Sequence, residues 1–194
     1  MIRDSLGKCP RGVSISTALV VGVQLAACFT AVPLSAQTEE DIKVAALNSL
    51  LSFVRWPPGG HQEGELVIGV LGENPLGLAI DMLEGRTVFG RRIRVRRFDA
   101  LADVGRPHIL YLGAEASRRL SETLAVAGKR GILTVGETDD FTTDGGAVSF
   151  RFADGTLRIT LNLCAFRDAG LEASSRLRRL ATVSQSTCPI ERRP

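Results

Sequence analysis

From residue 39 to residue 56 the apolar positions recur at helical spacing. Ile42, Ala45, Ala46, Ser49, Phe53 and Trp56 share one face, and Val44, Leu47, Leu51 and Val54 widen the stripe beyond it. Thr38 precedes the stretch as an N-cap, and Glu39, Glu40 and Asp41 place negative charge where a helix dipole favours it. Pro57 and Pro58 then stop the helix. Proline lacks an amide hydrogen and disfavours helical geometry in the residue before it, so Trp56 is predicted at a forced helix exit.

Beyond the prolines the pattern changes to short apolar runs separated by turn residues. Residues 65–71 read as a strand, Asn74 and Pro75 as the start of a helical segment reaching Met82 or Leu83, and 91–98 as a second strand. A short helix over 99–104, a strand over 108–112, a helix over 115–127 and a strand over 131–135 continue the alternation. That order implies a mainly parallel sheet flanked by helices. The end of the chain differs. Residues 147–152 and 156–163 are extended runs around Asp154 and Gly155, the mark of an antiparallel hairpin, so the sheet is mixed. Short helices over 165–169 and 174–181 close the pattern. The fold class is therefore α/β, a compact single domain of Rossmann-like layout without a dinucleotide fingerprint.

Charge and hydropathy at the start of the chain bear on location. Arg3, Lys8 and Arg11 precede an uncharged run from Val13 to Val32, and small residues follow at Ser35 and Ala36. Residues 1–36 are read as a signal peptide, 37–183 as the domain and 184–194 as a flexible tail. Two processing sites compete: cleavage after Ala36, and lipidation at Cys28 behind Leu25, Ala26 and Ala27. The favoured site is Ala36, which delivers the domain to the periplasm; the alternative anchors it there by lipid. Losing Arg3, Asp4, Lys8 and Arg11 takes the 24 basic and 21 acidic residues of the whole chain to 21 and 20. A nearly neutral domain is no generic nucleic-acid binder. In an oxidising compartment Cys164 and Cys188 are candidates for a disulfide, against a buried Cys164 and a free Cys188 on the tail.

The catalytic inventory is thin. His61 and His108 are the two histidines, and no nucleophile-elbow, zinc-protease or phosphate-loop motif is present. The expectation is a protein that is not an enzyme and uses no cofactor or metal. Asp139, Asp140 and Asp144 lack the ligand spacing of a calcium loop. The turn from Gly69 to Gly77 is an anion-site candidate at a helix start, disfavoured by Glu73. Arg91, Arg92, Arg94, Arg96 and Arg97 form the densest basic run. On a strand Arg92, Arg94 and Arg96 share a face that either guards a sheet edge or meets an acidic partner. Arg176, Arg178 and Arg179 make a second cluster. Trp56, Arg92, Arg94, Arg96 and Arg176 are the candidate partner-binding residues.

Two stretches carry a family resemblance. The first is Lys43 opening a helix that closes in Phe53, Val54, Trp56 and Pro57. The second is Phe150, the turn Asp154 and Gly155, Asn162, then Ala169, Gly170, Leu171, Ser174, Ser175 and Leu177. Together they resemble the YfiR-like family of exported regulatory proteins. The resemblance implies a compact α/β domain in the periplasm that represses a membrane-anchored diguanylate cyclase by contacting its periplasmic region, giving negative control of cyclic-di-GMP. It also implies an outer-membrane lipoprotein that sequesters the repressor, and a homodimer as a candidate assembly. The competing reading is a periplasmic small-ligand sensor, or a regulator of some other membrane sensor.

Overall fold

Thr38 closes the amino end of helix α1 (Glu39–Phe53) with a capping box: its hydroxyl accepts from the Asp41 amide, and the Asp41 carboxylate accepts from the Thr38 amide. The computed structural model describes residues 37–57, 64–113, 116 and 120–184, without the Lys129 side chain. These belong to a unit that begins at Ala36. Helix α1 buries Lys43, Val44, Leu47, Leu50 and Leu51. The sequence pattern put Ala45 and Ser49 on the leading apolar face, but both are exposed. The larger side chains at 44, 47, 51 and 54 win the core because area removed from water, not the count of small residues, sets the gain.

Helix α1 also ends three residues earlier than the prolines suggest. Val54 and Arg55 form a short strand, β1 (Val54–Arg55), and Trp56 follows it in the chain. Pro57 excludes Trp56 from helical geometry, and β-branched Val54 favours extension. The extended backbone then finds a partner across the chain. Strand β1 pairs antiparallel with β9 (Glu172–Ala173), Val54 opposite Ala173 and Arg55 opposite Glu172.

The main sheet is built from β2 (Glu65–Leu71), β3 (Thr87–Val88), β4 (Arg91–Phe98), β5 (Ile109–Leu112), β6 (Leu133–Gly136), β7 (Val148–Ala153), β8 (Thr156–Leu161) and β10 (Thr182–Val183). Among the described residues its order is β10-β8-β7-β6-β5-β2-β4-β3. Strands β4, β2, β5, β6 and β7 run parallel, β10 is parallel to β8, and the pairs β7–β8 and β3–β4 are antiparallel. The mixed, mainly parallel sheet with its late hairpin is the architecture the alternation implied. The hairpin turns at Asp154 (φ 53) and Gly155 (φ 70), the paired left-handed conformation that matches strand twist.

Alternation along the strands separates two cores. Leu66, Ile68, Val70, Ile93, Ile109, Tyr111, Leu133, Val135, Val148 and Phe150 face α1 and the side of the two-stranded β1–β9 ribbon. Leu71, Leu110, Leu112 and Phe141 face helix α2 (Leu120–Lys129) and its flanking loops. The segments after β2 and β4 are 3₁₀ turns, Ala79–Leu83 and Leu101–Asp103, rather than the longer helices expected. Asn74 bonds the Leu76 amide and the Gly77 carbonyl, closing a local turn that uses up its capping capacity. Two helices, α3 (Leu163–Asp168) and α4 (Ser175–Leu180), pack at the ribbon.

Candidate functional site

The two signature stretches are hydrogen-bonded to each other through residues more than a hundred positions apart in the chain. Besides the β1–β9 pairing, the Ser174 amide donates to the Phe53 carbonyl (2.9 Å), and Pro57 lies against Gly170. Gly170 holds a positive φ of 66° and ends α3 with paired bonds, its own amide to the Arg167 carbonyl (2.9 Å) and the Leu171 amide to the Phe166 carbonyl (2.8 Å). That is the Schellman arrangement, which a side chain at this position would strain. Leu171 turns into the core. Ser174 then caps α4 by accepting from the Leu177 amide (3.2 Å), and Ser175 is the first helical residue.

Asn162 is buried to 4 % exposure and joins three segments. Its Oδ1 accepts from the Cys164 and Ala165 amides (3.0 and 3.2 Å), capping α3, while its Nδ2 donates to the Thr142 carbonyl (2.8 Å). Cys164 is disulfide-bonded. Its partner lies outside the described residues, as does Cys188.

Trp56 is half-buried and held against His108. Its indole Nε1 donates to the His108 carbonyl (3.1 Å), and the indole meets the His108 ring edge-on, centroids 5.4 Å apart at 74°. His108 is fully buried. The Val67 amide donates to its Nδ1 (3.1 Å), and Arg91 Nη2 stands 3.0 Å from its Nε2. Trp56 therefore locks the segment after α1 onto the start of β5. Phe53 lies beneath Arg176, whose guanidinium carbon is 5.1 Å from the ring centroid. The outer surface of the ribbon carries the exposed pair Arg55 and Glu172 (3.6 Å).

Lys43 sits inside the protein. Its ammonium is 2.5 Å from Glu39 and 2.9 Å from Glu137, and the Tyr111 hydroxyl donates to the other Glu137 oxygen. Burial alone depresses the lysine pKa, but the hydrogen bonds to Glu39 and Glu137 more than offset it and leave the group above its ordinary 10.5. Burial, and then the bond to Glu137, raise Tyr111 far above the phenol range. Glu137 and Tyr111 are the members the sequence reading missed. The available signal was Lys43 itself, a cation at the spacing of Leu47 and Leu50 on an apolar stripe, which needs a buried anion.

The basic run on β4 divides. Arg94 bonds Glu65 (3.0 Å) and Glu84 (3.1 Å), Arg97 bonds Asp81 (2.6 Å), and Arg91 donates to the Glu65 carbonyl (2.6 Å). Glu84 also accepts from the Val95 amide (2.6 Å), which holds its carboxyl below the ordinary range and covers part of the outer edge of β4. Arg92 and Arg96 stay exposed on the face they share with Arg94. His61 lies outside the described residues. Asp139 pairs with Arg151. Among the described residues no group of three or more His, Cys, Asp or Glu could hold a metal ion, and no helix is long and apolar enough to cross a membrane.

A family model described as YfiR/HmsC-like matches residues 40–182, spanning both halves of this joint. The chain belongs to the YfiR/HmsC-like family. No curated protein matches it. Among solved structures it is similar to a conserved domain protein from Vibrio cholerae O1 biovar eltor str. N16961, with TM-score 0.51 and 14% identity, over 76% of this chain and 60% of that one. That likeness concerns the fold alone, and this chain spans about 60% of that structure's length. The ABC domain in complex with L-Trp from Streptococcus pneumonia is more distant, with TM-score 0.44 and 9% identity over 61% of this chain and 55% of that one. In this YfiR/HmsC-like chain the signature residues Lys43, Phe53, Trp56, Pro57, Asn162, Gly170, Leu171 and Ser174 are spent on joining segments.

Proposed function

We propose that the chain is an exported regulatory protein that restrains a membrane-anchored diguanylate cyclase by binding its periplasmic region, lowering cyclic-di-GMP. The observation that carries this reading is the family match over residues 40–182. The charged and apolar pattern of residues 1–36 supports export, by cleavage after Ala36 with lipidation at Cys28 as the competing route. Such a protein acts by binding one state of its partner better than another and shifting the population. Partner contact is assigned to the exposed residues Arg92 and Arg96 on β4 and Arg176 on α4. Arg94 contributes less, because Glu65 and Glu84 already hold it. Trp56, half-buried at the joint, is the aromatic candidate. An outer-membrane lipoprotein is the second partner, and a second copy of the chain the third.

Deletion of the gene should raise cyclic-di-GMP, with return to the starting level on complementation. Pull-down from membranes with the tagged protein should recover a diguanylate cyclase. Arg92→Glu with Arg96→Glu should weaken that recovery while leaving the melting curve in place. Unchanged cyclic-di-GMP across several growth conditions, with no cyclase recovered, would sink the proposal.

A further inference from the structure

We infer that Cys188 is the disulfide partner of Cys164, so that the ribbon half of the joint is closed into a covalent loop. Cys164 is buried at the start of α3 and disulfide-bonded. The other cysteines of the chain are Cys9, Cys28 and Cys188. Cys9 and Cys28 lie in the stretch read as removed on export, and this step rests on that reading. Lipidation at Cys28, the competing route, would itself occupy that sulfur. Strand direction points to Cys188 independently. Strand β10 is parallel to β8, Thr182 opposite Thr160 and Val183 opposite Leu161, and the Ser184 amide donates to the Leu161 carbonyl (2.7 Å). Both strands therefore end where Asn162 and Cys164 begin α3. Cys188 follows Ser184 by four positions, and Cys164 follows Leu161 by three. Four residues reach about 13–14 Å and a bridge spans about 5–6 Å between Cα atoms, enough to close that gap.

The bridge supplies an anchor that burial does not. Leu177 is the last buried residue among those described: from Arg178 to Ser184 none is buried, and Leu180 and Val183 are 63% and 41% exposed. Little apolar area leaves water there, so the end of α4 and the two-residue β10 gain little hydrophobic hold. Cys164 is a fixed point, its amide donating to Asn162 Oδ1 (3.0 Å) within the α3 cap. A covalent link from it to Cys188 encloses Gly170, β9, α4 and β10, and removes chain entropy from the unfolded state. Arg176 stands inside that loop. The bond forms by thiol–disulfide exchange with a disulfide-bearing oxidant. One S–S bond forms between the two Sγ atoms as the oxidant's is broken to a dithiol, which takes up the two protons and two electrons.

The test is a peptide map by mass spectrometry of the protein purified from the periplasm without reductant. It should recover one linked species joining the Cys164 and Cys188 peptides, absent after reduction. Cys188→Ser should lower the melting temperature by about 5–15 °C. It should also speed hydrogen exchange over residues 175–184 while the amides of β2 and β4 keep their protection. In a Cys164→Ala background Cys188→Ser should add nothing, because the bridge is already gone. Linkage of Cys164 to Cys9, to Cys28 or to a second chain overturns the proposal. So does alkylation of both Cys164 and Cys188 in denaturant without reduction, or a Cys188→Ser variant with the parent's melt and exchange. Should that variant fail to fold, the peptide map alone decides. The whole chain oxidised in a glutathione redox buffer should give the same linked species, which tells failure of export from failure of the bridge. The regulatory reading is judged apart, by cyclic-di-GMP and partner recovery.

Discussion

Replacing Lys43 by methionine keeps an aliphatic stem of similar length in the core and removes the ammonium. Two ion pairs are lost. The one to Glu39 is an i,i+4 pair whose carboxylate is 43 % exposed, worth about 0.4 kcal/mol at best. The one to Glu137 joins a 5 % exposed lysine to a 30 % exposed carboxylate at 2.9 Å. It falls between the ~1 kcal/mol ceiling of surface pairs and the ~3–5 kcal/mol cost of breaking a fully buried one. About 2 kcal/mol in all is expected, a fall in melting temperature of about 4–8 °C for a domain of this size. The double variant Lys43→Met with Glu137→Gln should recover part of the loss, because the stranded carboxylate charge is gone. The pH dependence gives a second readout. Lys43 and Tyr111 both have folded-state pKa values raised above ordinary values of 10.5 and 10.0. The folded protein thus keeps protons that the unfolded chain releases, so their contribution is complete below about pH 10 and declines as pH rises beyond it. Lys43→Met should remove the lysine part of that alkaline decline and leave the Tyr111 part. Urea unfolding from pH 7 to pH 11 measures both. A variant as stable as the parent at pH 7, or strictly additive single and double variants, would refute the argument.

Trp56→Phe keeps an edge contact with His108 but loses the indole N–H bond to its carbonyl, and should cost about 1 kcal/mol by urea unfolding. Asn162→Ala removes the cap of α3 and the donor to Thr142 together, for about 2–3 kcal/mol. Asn162→Asp keeps the cap acceptor and should fall between the two in the same assay. Gly113→Ala should prevent soluble expression or lower stability by more than about 2 kcal/mol, because a Cβ there collides with the Glu73 carbonyl oxygen. Gly105→Ala, which meets nothing within 4 Å, should stay within about 0.5 kcal/mol in a parallel melt.

Strands β2 and β4 were legible residue for residue, since an apolar run bounded by turn residues, and arginine alternating with aliphatic side chains from Arg92 to Arg96, leave little choice of period. The β7–β8 hairpin was legible because Asp154 and Gly155 accept the φ values its turn requires. Strands β1, β3, β9 and β10 were not, because a two-residue strand has no periodicity and exists only when its partner is in place. The burial of α1 was misread through its small residues, and the true face is the one on which Lys43 stands. Arg92, Arg94 and Arg96 share a face as the strand period implies. Glu84, which reaches β4 from the preceding 3₁₀ turn, separates Arg94 from the other two, and no spacing in the sequence announces that contact.

The joint changes what a loss-of-function substitution can mean in this protein. Phe53, Trp56, Pro57, Gly170 and Ser174 hold α1, the ribbon and α4 in one arrangement, so a change at any of them alters the surface around it as well as its own contact. Loss of partner binding in a Trp56 variant is evidence of contact only if the ribbon pairing and the melting curve survive. Arg55 and Glu172 offer the cleaner probe. They stand opposite each other on the outer surface of that ribbon, 81 % and 73 % exposed in their side chains, and a pair so solvated adds little to stability. Exchanging the two charges preserves the pair and reverses its field. If the ribbon surface meets a partner, the exchange weakens recovery of that partner without moving the melt; if the joint serves only to hold the fold, recovery is unchanged.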